Sequence, residues 1–266
     1  MNGLRGISLV LAGFVVAFCL IDVSPFLGQR MAHLAFTGSG VVNTRDCVVK
    51  LDGAVPSGTS LLPLPVLRTR VEMLTAICER EQLHSVAEIG VQRAHFAQQI
   101  LSRCPKVTSY MGVDLWATQK SYDDGANVDN SMQSHIFEEA VERLKPFGNR
   151  VRLLREDSVL AAAQVRNGSL DFVYLDARHD YRSVQEDILA WAPKVRSGGI
   201  LAGHDYIDAS ELDGSWTKYK DGSISHPTKA VRSAVSEFAD LTRRQHLVTY
   251  GDLSENLPFP SWFLRM

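Results

Sequence analysis

Leu170 to Tyr206, LDFVYLDARHDYRSVQEDILAWAPKVRSGGILAGHDY, is the stretch that decides the fold. Phe172–Leu175 and Ile200–Ala202 are short apolar runs of strand type, and a helical pattern opening near Tyr181 joins them. The first run closes on Asp176, with His179 and Asp180 behind it; the second closes on His204 and Asp205. In an open parallel sheet the carboxyl ends of adjacent strands face one crevice, where ligands bind. Polar groups at both strand ends therefore converge, and the pattern points to an enzyme acting on a small molecule.

The same alternation continues on either side. Leu67, Val71, Leu74 and Ile77 share a helical face; Ser85–Ile89 reads as a strand, residues 94–103 as a helix, and Val107–Val113 as a strand closing at Asp114. A polar loop carrying Trp116, Tyr122 and Asn127 precedes a helix through Phe137, Ala140, Val141 and Leu144, then a strand at Val151–Leu154. After Tyr206 a loop rich in Gly, Ser and Asp, with His226 near its end, runs to Pro227. A helix through Val231, Val235 and Phe238 follows, then His246–Tyr250 and a terminal PSWFLRM suited to an edge strand. Strands alternating with helices predict an α/β fold, a mainly parallel sheet covered on both faces. Glu88 and Gly90 stand where the first strand meets its helix, and a glycine there allows the backbone to approach a ligand. Asp114 ends the second strand, the place where an acid commonly accepts hydrogen bonds from ribose hydroxyls.

The chain has 266 residues, 45% hydrophobic and 22% charged, with a formal net charge of −2. These values suit one well-buried domain. No basic stripe is present, which excludes nucleic acid as the main partner. Ile7–Ile21 is uncharged over fifteen residues, preceded by Arg5 and closed by Asp22. It is short for a membrane span and suits a thin bilayer or the apolar core of a signal peptide. Residues 1–22 are expected to be a signal anchor or signal peptide, 23–62 a linker, and 63–266 the catalytic domain. The expected location is a secretory-pathway membrane (ER or Golgi), with the domain lumenal; a secreted or cytosol-facing domain is the alternative. Beyond Cys19 in the apolar run lie Cys47, Cys78 and Cys104, which allow one disulfide with a free thiol, or three thiols.

Residues 63–266 resemble the S-adenosylmethionine-dependent methyltransferases of Rossmann-like fold, in particular the subgroup with macrocin-type sugar O-methyltransferases. The segments that carry the resemblance are VAEIGVQRAHFAQQIL, YMGVDLW, LREDS, LDFVYLDARHDY, GGILAGHDY and PSWFLRM. It implies a seven-stranded sheet with the last strand antiparallel. It further implies Glu88 and Gly90 at the methionine part of the cofactor, Asp114 at the ribose, and Asp157 with Ser158 at the adenine. Ala94 stands where the family often has a second glycine.

The resemblance also implies chemistry. Methyl transfer needs the acceptor oxygen in line with the sulfonium methyl, and a group to take its proton. His179 and Asp176 are the candidate catalytic residues. Catechol-type and caffeoyl-type members carry a lysine at the position of His179; sugar-type members use an Asp one place earlier, where this chain has Arg178. Asp176 and Asp205 match positions that hold a divalent cation in metal-dependent relatives, with Mg²⁺ the expected ion. Those relatives follow the second acid with Asp or Asn, where Tyr206 stands here, and His204 is a substitute ligand for a softer ion. The function expected is O-methylation of a sugar or another hydroxylated small molecule. The alternatives are a cofactor-binding scaffold without catalysis, or an oxygenase-like or hydrolytic enzyme on the same fold.

Overall fold

The computed structural model describes residues 69–250 and 259–266 in full, together with the backbone of five short strands before residue 51. The chain divides into two compact units, residues 1–64 and 65–266.

In the second unit β1 (Ser85–Ile89), β2 (Ser109–Asp114), β3 (Val151–Arg155), β4 (Leu170–Leu175) and β5 (Val195–Gly203) are parallel. They join β6 (His246–Val248) and β7 (Trp262–Arg265) in one seven-stranded sheet of order β3-β2-β1-β4-β5-β7-β6. Only β7 runs against its neighbours, pairing antiparallel with β5 and β6. This is the seven-stranded, mainly parallel, Rossmann-like arrangement expected from the sequence. The chain builds outward from β1 to β3 and then returns to place β4 on β1's other side. The crevice above the β1–β4 junction is therefore the switch point at which such sheets bind ligands.

Alternation along the strands explains the two cores. Phe172 and Tyr174 of β4 face one side, with α1 (Arg70–Arg80), α2 (His95–Arg103) and α3 (Asn130–Leu144). Val173 and Leu175 face the other, with α4 (Ser158–Ala163), α5 (Tyr181–Trp191) and α6 (Val231–Leu241). All six β4 residues are buried, as a central strand covered on both sides requires. Thr69 and Glu72 form a reciprocal capping box that starts α1, and Asp129, Asp157 and Asp180 cap α3, α4 and α5. A disulfide between Cys78 and Cys104 ties α1 to the end of α2, settling the pairing the sequence left open. Val141, expected on the apolar face of α3, is 44% exposed; that helix buries Gln133, Ile136, Ala140 and Leu144 instead.

In the first unit, the run Ile7–Ile21 is the expected apolar segment of a signal anchor or signal peptide. Its described part consists of antiparallel strands, Leu9–Leu11 and Phe14–Leu20, the second pairing with Met31–Phe36. Val, Ile and Phe suit extended backbone, so the apolar run is compatible with a strand. Among the described residues no helix is long and apolar enough to cross a membrane. Within the expected linker, Val41–Thr44 and Cys47–Lys50 form a two-stranded antiparallel pair. The remaining residues of both segments lie outside the described ones.

Candidate active site

A cavity of about 680 Å³ opens over the carboxyl ends of β1, β2, β4 and β5. It is lined by the eight residues assigned from the sequence to catalysis, cofactor or metal: Glu88, Gly90, Asp114, Asp157, Ser158, Asp176, His179 and Asp205.

At one end lies Glu88, 2% exposed, accepting a 2.7 Å hydrogen bond from the Tyr110 hydroxyl. Burial pushes its carboxyl from the ordinary 4.5 up to about 8, against the lowering effect of that bond. Arg70, at the start of α1, reaches the same region: its guanidinium lies 4.6 Å from the Phe96 ring centre and 3.9 Å from Asp176 Oδ2. Gly90 has φ +88°, and a β-carbon there would stand 1.9 Å from the Asp176 carbonyl oxygen. The glycine thus serves a close approach to the backbone just beyond β4, and it lines the cavity as well. Ala94, in the family's glycine position, has φ +60° and is fully buried, so the small side chain is accommodated in a left-handed conformation at some strain.

Asp114 holds the turn above β1 in place. Its Oδ2 accepts from the backbone N–H groups of Val91 and Gln92, both at 2.9 Å, and its Oδ1 from Trp116 at 2.8 Å. Trp116 itself is buried, with its indole N–H donating to the Gln92 carbonyl, so it is part of this scaffold and not an acceptor-covering aromatic. Further along, Asp157 caps α4 and meets Lys220 Nζ at 3.4 Å, while the Ser158 hydroxyl accepts from Trp191 Nε1 at 2.9 Å. Buried Asp187 completes that end, its carboxyl raised by burial from 3.8 to about 7.

The other end is the polar cluster. His179 Nε2 stands 3.0 Å from Asp205 Oδ2 and 3.7 Å from Asp176 Oδ1. Its Nδ1 is 2.9 Å from the Tyr122 hydroxyl and 3.4 Å from Asp124 Oδ2. Burial works to lower the imidazole pKa, but the carboxylates of Asp205, Asp124 and Asp176 outweigh it and raise it to about 10. Although Nε2 is within ion-pair distance of Asp205, it is shut from solvent and makes no aligned hydrogen bond. His204 Nδ1 lies 2.9 Å from Asp205 Oδ1 and 3.9 Å from Asp176 Oδ1. Asp205 itself adopts φ +55°, a costly backbone conformation held by the structure around it.

Two positions compared with relatives have structural roles. Arg178 is 4% exposed; it donates to Asp180 at 2.6 Å and to the carbonyls of Lys120, Ser121 and Lys218. It therefore clamps the two long loops together over the sheet. Tyr206 turns away from the cavity, its hydroxyl meeting Ser236 at 2.9 Å and His246 Nε2 at 2.6 Å. His226 does not line the cavity; its Nδ1 accepts from the Lys229 backbone. Arg70, Asp124, Trp216, Phe259 and Lys220 line it without having been singled out in the sequence. Trp216 packs its ring 4.4 Å from His179 and donates from Nε1 to Asp124 at 3.2 Å.

Residues 87–206 match the family described as "Methyltransferase domain". No curated protein matches the chain. Among solved structures, a candidate caffeoyl-CoA O-methyltransferase from Staphylococcus aureus is similar with TM-score 0.50 and 9% identity, over 74% of this chain and 82% of that one. The O-methyltransferase TomG of Streptomyces achromogenes, involved in tomaymycin synthesis and solved with S-adenosylmethionine, is similar with TM-score 0.50 and 14% identity, over 76% and 83%. At these identities the two structures speak for the fold, and the family match speaks for the domain. With the cavity at the sheet's switch point, residues 87–206 form a methyltransferase domain.

Proposed function

We propose that this enzyme methylates a hydroxyl oxygen of a sugar or another hydroxylated small molecule. The observation that carries the reading is a single cavity with an acid-and-glycine end, Glu88, Gly90 and Asp114, and an Asp176–His179–Asp205 end. S-adenosylmethionine, when bound, supplies an activated methyl group on a sulfonium. Glu88 would meet the ammonium of its methionine part, Asp114 the ribose, and Asp157 with Ser158 the adenine side. Asp114 is suited to this because three backbone N–H groups fix its carboxylate in advance.

At the opposite end Asp176, His179 and Asp205 would orient the acceptor hydroxyl, with a carboxylate of the cluster taking its proton, since the imidazole raised to about 10 already carries one. A positioned acid–base group contributes typically ~10²–10⁴-fold, on top of the gain from proximity. Tyr122, Trp216 and Phe259 enclose the acceptor space with rings suited to the apolar face of a sugar or to a phenol. The residues present also fit a cation. The donor atoms of Asp176, His179 and Asp205 all lie within 4.8 Å of one another. A bound divalent ion would lower the pKa of the acceptor hydroxyl.

Full-length protein incubated with methyl-labelled S-adenosylmethionine and a panel of sugars, catechols and phenols tests the reading. Asp205→Asn is expected to cut turnover at least about 100-fold with cofactor affinity unchanged within about twofold. Unchanged turnover in this variant would remove the cluster from the acceptor end.

A further inference from the structure

We propose that His179 Nε2 is a metal ligand, with Asp176 and Asp205, and that the site therefore selects a transition ion of the iron-to-zinc series over magnesium or calcium. The proposal rests on the reading of this cluster as the acceptor end.

Three observations carry it. The first is spacing. Ligands about 2.1 Å from one ion stand roughly 3.0 Å apart when at right angles and roughly 3.4 Å apart in a tetrahedron. His179 Nε2 lies 3.0 Å from Asp205 Oδ2 and 3.7 Å from Asp176 Oδ1, spacings an ion between nitrogen and either carboxylate accommodates, and the three donor atoms lie within 4.8 Å of one another. The second is the state of Nε2. It is shut from solvent and lacks an aligned hydrogen bond, although two carboxylates face it. An ion shared with the two carboxylates, displacing the Nε2 proton, would give this atom a partner.

The third observation lies on the other side of the ring. A metal-binding imidazole almost always gives its second N–H to a carboxylate, carbonyl or water, which fixes its orientation and strengthens its basicity. His179 Nδ1 faces Asp124 Oδ2 at 3.4 Å and the Tyr122 hydroxyl at 2.9 Å. Asp124 is itself held, its Oδ2 by Trp216 Nε1 at 3.2 Å and its Oδ1 by the Ala126 N–H at 2.8 Å. The loop residues Asp124 and Trp216 thereby become positioning residues for the ion. An imidazole among the ligands sets the preference: carboxylate and water suit magnesium and calcium, whereas imidazole suits iron, nickel, copper and zinc. Tyr206, which points away, supplies no third oxygen.

Calorimetric titration of chelator-stripped, full-length protein with Mg²⁺, Mn²⁺, Co²⁺ and Zn²⁺ tests this. Every nitrogen- or oxygen-rich site favours zinc over magnesium to some degree, so the change on mutation decides. His179→Asp, which substitutes an oxygen ligand, is expected to weaken Co²⁺ at least 100-fold and leave Mg²⁺ within about threefold. Asp124→Asn is expected to weaken Co²⁺ by about 10–100-fold. X-ray absorption of the cobalt-loaded wild type is expected to show one imidazole in the first coordination sphere, a reading that needs no variant to fold. An ion shell of oxygen alone, equal Co²⁺ affinity in His179→Asp, or no divalent binding would each overturn the proposal. Methyl transfer in excess chelator keeps the two readings apart: activity that persists sinks the ion alone, and absence of turnover with every metal sinks the acceptor-end reading.

Discussion

Gly90→Ala is expected to cost the domain about 2–5 kcal/mol and to abolish cofactor binding. A left-handed conformation costs an L-residue roughly 1–2 kcal/mol, and overpacking a tight interior typically costs ~1–3 kcal/mol more. Here φ is +88° and the new β-carbon would lie 1.9 Å from the Asp176 carbonyl oxygen, with both partners main chain, so no side chain can swing aside. Relief requires β1 and β4 to part at their carboxyl ends. That movement strains the 2.7 Å bond from Asp176 N–H to the Ile89 carbonyl, and with it the cavity floor. At roughly 2–4 °C per kcal/mol for a domain of this size, thermal unfolding should move down by about 4 °C or more. A variant with wild-type Tm and wild-type affinity for S-adenosylmethionine would show that the close approach does not matter.

Glu88→Gln is expected to do the reverse for stability and the same for binding. Below pH 4.5 both folded and unfolded states carry the proton, and the group is neutral in each. Between 4.5 and about 8 the folded state keeps a proton that the unfolded chain releases, so stability falls as pH rises, levelling off above about 8. Glutamine never ionises, and its carbonyl still accepts from Tyr110. The variant should therefore gain on the order of 2–4 kcal/mol at pH 8 and almost nothing near pH 4. Above about pH 8, where the wild-type carboxyl is ionised and can face the cofactor's ammonium, it should bind S-adenosylmethionine at least about tenfold more weakly. Denaturant titrations at the two pH values check the first part. An equal effect at pH 4 and pH 8 would mean that burial does not raise the Glu88 carboxyl above its value in the unfolded chain.

The contrast between these residues shows what the sequence could carry. Asp114, Asp176 and Asp205 were legible because each ends an apolar strand, and parallel strands bring their carboxyl ends to one edge. Glu88 and Gly90 were legible for the same reason, but the glycine's tight contact was not, since its close neighbour lies just beyond a strand about 80 residues away. Loop residues had no such register. Asp124 and Trp216 reach the cavity because buried Arg178 binds carbonyls of both loops, and no local pattern announces a clamp of that kind. Arg70 belongs to a helix that repeats its apolar face regularly, and its guanidinium reaches the cavity from the turn where that repeat begins. Tyr206 and Arg178, conspicuous against relatives as missing ligand and missing base, proved to have partners elsewhere. The uncharged Ile7–Ile21 run fits two kinds of secondary structure by composition alone, and its length did not decide between them.

The central claim is that the cavity over β1, β2 and β4 holds S-adenosylmethionine with Asp114 at its ribose. Calorimetric titration of the full-length protein with S-adenosylmethionine tests it most directly. One molecule per chain is expected in the wild type, and Asp114→Ala should weaken it by about 1–3 kcal/mol, close to 5–150-fold. A folded wild type without saturable binding, or a folded Asp114→Ala with unchanged affinity, would contradict it.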